Sequence, residues 1–74
     1  MEPQELALIE TLAPKHDELR YLWSQHLDYE KDLNRLTVIR YPSEAERRQI
    51  GKIKRLKLRG KERITAILEA HRNI

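Results

Sequence analysis

The hexapeptide Tyr41-Pro42-Ser43-Glu44-Ala45-Glu46 constrains this chain more than any other stretch, because it both stops a helix and starts one. Pro42 forces Tyr41 out of the α region, so a helix arriving from the N-terminal side ends before it. Ser43 and Glu46 have the Ser-x-x-Glu spacing of a capping box. The serine oxygen accepts from the Glu46 backbone N–H, and the Glu46 carboxylate accepts from the Ser43 N–H. One helix ends and another begins within a few residues, which predicts two antiparallel helices folded back on each other.

The rest of the sequence agrees with an all-α, coiled-coil-like hairpin. The first helix is expected over residues 3–38, the turn over 39–43 and the second helix over 44–72. Pro3 suits a first turn, where its missing N–H costs nothing. Pro14 kinks the first helix or breaks it, with Thr11 as the new N-cap if it breaks. From Leu12 onward apolar residues recur at spacings of three and four: Leu12, Leu19, His26 and Leu33 on one line, Leu22, Tyr29 and Leu36 on the other, with Trp23 beside them. In the second helix Ile50, Ile53, Ile64 and Ile67 form the seam, interrupted by Lys57 and Gly60. Reversal near Pro42 sets Leu33 against Ile50, Tyr29 against Ile53, His26 against Lys57 and Leu19 against Ile64. It also puts Trp23 and Leu22 opposite Gly60, so the indole is expected to cover the space the glycine leaves. Residues 1–8 find no partner in this register, and Leu6 and Leu8 call for a second chain.

Size makes the same demand. A chain of 74 residues is one domain, and two helices bury only the stripes that face each other. A homodimer closing a four-helix bundle is therefore expected. There is no cysteine for a disulfide framework. No apolar run is long enough to span a membrane, and no secretory signal is visible, so a cytoplasmic protein is expected.

Charge is divided between the helices. Residues 2–36 hold eight acids and four bases, whereas residues 44–63 hold nine bases and three acids. Arg47, Arg48, Lys52, Lys54, Arg55, Arg59, Lys61 and Arg63, with Lys57, form a basic set of the kind that nucleic-acid phosphates attract. The competing reading is that these bases solvate one helix and pair with the acidic one beside it. His26 facing Lys57 on the seam is read as a core histidine bonded to Glu30 or to a neighbouring chain, with Lys57 snorkelling outward, against the competing reading of a pH-sensitive or partner-binding site. The three histidines lack the spacing of a helical metal site, although His16 and His71 come close at the open end. No cofactor is expected, and no pair of groups is placed for acid–base catalysis.

The run Ile53-Lys54-Arg55-Leu56-Lys57-Leu58-Arg59-Gly60-Lys61-Glu62-Arg63-Ile64 resembles the second-helix signature of the YdcH-like family of short bacterial proteins. Ile53, Lys54, Lys57, Leu58, Lys61 and Ile64 match it, while Gly60 replaces a leucine and Glu62 an aspartate. Upstream, Lys15-His16 with Leu19, and His26 with Tyr29 and Leu33, resemble the family's first helix. The resemblance implies a bacterial, cytoplasmic helical hairpin that self-associates, and it supplies no activity. The leading expectation is thus a non-enzymatic structural or adaptor protein that works through coiled-coil contact with itself and another protein. The alternative is a nucleic-acid-associated protein using the basic helix.

Overall fold

A computed structural model describes residues 2–72, all of whose regular structure is helical. There are three α-helices: α1 (Pro3–Leu12), α2 (Asp17–Thr37) and α3 (Glu44–Arg72), with a single 3-10 turn at Ala13–Lys15 between the first two. The single long first helix expected from the heptads is therefore two helices, and Pro14 marks a break rather than a kink. Pro14 sits in the first turn of the 3-10 segment, and His16 then takes an extended conformation, φ −135° and ψ 101°. Thr11 is not the new cap. Its hydroxyl donates back to the Ala7 carbonyl at 3.0 Å, inside α1. His16 caps α2 instead, its Nδ1 accepting from the Leu19 N–H at 3.1 Å. The shift from Thr11 to His16 follows from geometry: a cap must be non-helical, and the chain leaves the helical region only after the 3-10 turn.

The connection between α2 and α3 behaves as its residues dictate. The last turn of α2 is closed by Thr37, whose hydroxyl donates to the Leu33 carbonyl at 2.7 Å. The capping box forms in full: the Ser43 N–H donates to Glu46 Oε1 at 2.8 Å and the Glu46 N–H donates to Ser43 Oγ at 3.1 Å. The Ser43 N–H, with the Ser43 side chain second, holds the Glu46 carboxyl below the usual glutamate range. Glu44 and Glu46 also lie in the first turn of α3, where the helix dipole favours negative charge.

α2 and α3 run antiparallel, as the pairs Glu18–Arg63 and Glu30–Lys57 show. The break lets α1 turn back onto them. Ile9, Leu19 and Ile64 are fully buried in one cluster with Ile67 and Leu68, flanked by Leu8, Leu12, Ala13, Leu22 and Trp23. Leu8 thus has a partner inside the chain, which corrects the expectation that residues 1–8 need a second molecule, while Leu6 stays 37% exposed. Nearer the turn, Leu36 and Ile53 are buried. The molecule is a rod of 48 × 20 × 16 Å.

Candidate functional site

The side of α3 that meets α2 uses two of its bases. Arg63 donates from Nε and Nη2 to the two carboxylate oxygens of Glu18, at 2.9 and 2.8 Å. The paired bonds hold the Glu18 carboxyl below its usual range and push the guanidinium further up. Lys57 reaches Glu30 Oε1 at 3.5 Å, and the same oxygen lies 3.0 Å from Nε2 of His26. A carboxylate oxygen accepts, so Nε2 is the donor in this contact. Nδ1 of that buried ring has no hydrogen-bond partner among the described residues, and the ring stacks on Trp23 at 5.2 Å and 12°.

The remaining acids of α2 do not reach α3. Asp17 pairs with Arg20 and Asp32 with Arg35, both within α2. Seven bases of α3 are consequently exposed and without an ion pair among the described residues. At about 100° per residue they fall into two rows on either side of a line turned away from α2. The row of Lys54 and Lys61 borders α2, where these lysines and Leu58 line a cavity with Leu33, and Arg59 borders it on the other side beside Leu22 and Tyr29. Arg48, Lys52, Arg55 and Arg59 follow each other at steps of four, three and four, and Arg47, Lys54 and Lys61 at steps of seven. Between the rows lie Gly51 and Leu58, the latter 57% exposed. Arg63, grouped with these bases on sequence grounds, belongs to the helix–helix contact instead.

The seam residues are unevenly covered. Leu19, His26, Leu36, Ile53, Ile64 and Ile67 are buried, whereas Leu12, Leu22, Trp23, Tyr29, Leu33 and Ile50 are half-covered. Leu22, His26, Tyr29, Leu56, Lys57 and Gly60 line a groove of about 240 Å³. A Cβ built on Gly60 meets nothing within 4 Å, so the indole does not cover it as expected. Trp23 turns to His26 and the α1 cluster, because the return of α1 creates a larger apolar contact there. Ile9 and Leu68 are buried residues that the seam did not include. Leu68 follows Ile64 by one turn, a spacing that marks it for the same face, and Ile9 became reachable only through the break at residues 13–16.

At the open end His16 and His71 line one cavity of about 320 Å³ with Leu12, Glu18, Arg63 and Ile67. Among the described residues no three His, Cys, Asp or Glu side chains gather as metal ligands. No helix of the described residues is long and apolar enough to cross a membrane. Comparison with protein-family models, with curated proteins and with solved structures finds no match.

Proposed function

We propose that the chain is a small non-enzymatic binding protein of the cytoplasm whose working surface is the outer face of α3 and whose partner is nucleic acid. The observation that carries this reading is the set of seven exposed α3 bases that no carboxylate of the described residues neutralises. Pairing between helices accounts for Lys57 and Arg63, and α2 uses Asp17 and Asp32 on its own bases. Like charges crowded on one helix repel, and a polyanion that takes them up relieves the repulsion while releasing its counterions. Fluorescence anisotropy of labelled duplex DNA, titrated with protein at two salt concentrations, tests it. Binding with a steep salt slope is expected, and the triple variant Arg48→Glu, Arg55→Glu, Arg59→Glu should lose it. Arg63 is left intact because its removal frees Glu18. Unchanged binding in the triple variant, or none by the wild type, contradicts the proposal.

A second reading keeps the antiparallel α2–α3 pair as the core of an adaptor that self-associates, a homodimer above all, and contacts another protein. The groove beside Gly60 favours it, together with an accessible surface of 5767 Å². A compact monomer of this mass exposes about 4,800 Å². Sedimentation equilibrium decides: the reading requires a dimer at micromolar concentration, and a monomer there removes it. The YdcH-like resemblance is compatible with either reading.

A further inference from the structure

Neither backbone conformation nor close packing among the described residues requires a glycine at position 51. Its φ is not positive, and a Cβ placed on it meets only the tip of Arg55 at 3.9 Å, an ordinary contact. A glycine inside a helix is unfavourable relative to alanine, and no contact in the fold offsets that cost here. The positions one turn back and one turn on, at three and four residues, are Arg47, Arg48, Lys54 and Arg55. The one bare patch of backbone on the outer face of α3 is thus enclosed by four cations.

We infer that the outer face of α3 lies in the major groove of duplex DNA, with one row of bases on each phosphate backbone and Gly51 at the closest approach. This deepens the nucleic-acid reading and rests on it. The rows stand about 130° apart around the helix axis, which aims them to opposite sides of whatever the midline faces. A helix with its side chains is about 10–12 Å across and the groove about 12 Å wide. The midline offers Gly51 and Leu58, neither of which donates or accepts from its side chain, so the contact reads backbone charge and not sequence. Glu62 falls on the same midline and ends the strip, since its carboxylate repels phosphate.

The test is anisotropy with a fluorescein-labelled 20-base-pair DNA duplex across a salt series. Gly51→Leu should melt higher than the wild type, leucine being the better helix former, yet bind about tenfold more weakly, the loss of one or two phosphate contacts. The weakening should persist when Arg55 is already glutamine, which separates the lost approach from a displaced Arg55. Lys54→Gln and Arg55→Gln, one from each row, should each lower the salt slope by about 0.9, and together by about twice that. Arg35→Gln, on α2, should leave the slope unchanged. Gly51→Leu binding as well as the wild type overturns the inference, as does a slope insensitive to Lys54→Gln. Equal affinity for an RNA duplex also overturns it, because the A-form major groove does not admit a helix, and so does equal affinity for polyglutamate. If the wild type binds no duplex the parent reading fails. If it binds and Gly51→Leu matches it, only this inference fails.

Discussion

Glu18 and Arg63 tie the two long helices together, and the tie has a defined pH dependence. The Glu18 carboxyl titrates below its usual range because Arg63 donates two hydrogen bonds to it. A carboxyl whose folded-state pKa is lowered stabilises the fold above the unfolded value of about 4.3, and that contribution disappears as pH falls through the lower folded value. Glu18→Gln should therefore melt below the wild type at pH 7, and the gap should narrow as pH falls below about 4.3. A gap that does not narrow in acid means the residue acts through packing and not through its charge. At this scale the sequence was largely legible. The capping box follows from spacing alone, since it depends on local helix geometry, whereas spacing left His26 a choice between Glu30 and a neighbouring chain and did not give the contact of Lys57 with Glu30. Trp23 was not legible, because its contacts depend on where α1 goes.

The element least legible in the sequence is α1. Thr11 and Pro14 interrupt the pattern, but a proline inside a helical pattern is compatible with a kink or a stop. What decides is His16, whose extended backbone and capping ring start α2 afresh. A histidine is a rare cap and gives little signal, whereas Thr11 offers a familiar one that the fold does not use. Once the chain breaks there, α1 lies over the ends of α2 and α3 and Ile9 closes the core. Ile9→Ala should cost about 2–4 kcal/mol in a thermal or urea melt and shift the emission of Trp23 to the red. Leu6→Ala, at the exposed edge of the same helix, should cost less than about 0.5 kcal/mol. Equal effects from the two substitutions contradict the packing described for α1.

For the molecule as a whole, charge is the property that distinguishes the readings. If acidic α2 neutralised basic α3, added salt would weaken the fold by screening attraction. Among the described residues there are two ion pairs between α2 and α3, both partly exposed, against seven unpaired bases on α3. Screening their mutual repulsion outweighs the weakening of two surface pairs, each worth little. The melting temperature should accordingly rise between 0.05 and 0.5 M sodium chloride, in amounts of about a few degrees, as followed by circular dichroism. A fall over that range returns the bases to the role of helix-pairing charges.

The location of the site is the central claim, and an amide chemical-shift map with duplex DNA tests it most directly. Added to ¹⁵N-labelled protein at near-physiological salt, the duplex should move the amides of residues 47–61 on the outer face of α3, those of Gly51 and Leu58 among the most. The outer face of α2 around Tyr21 and Asp28 should stay still. Shifts concentrated on α1 or α2, or none at saturating duplex, contradict the account.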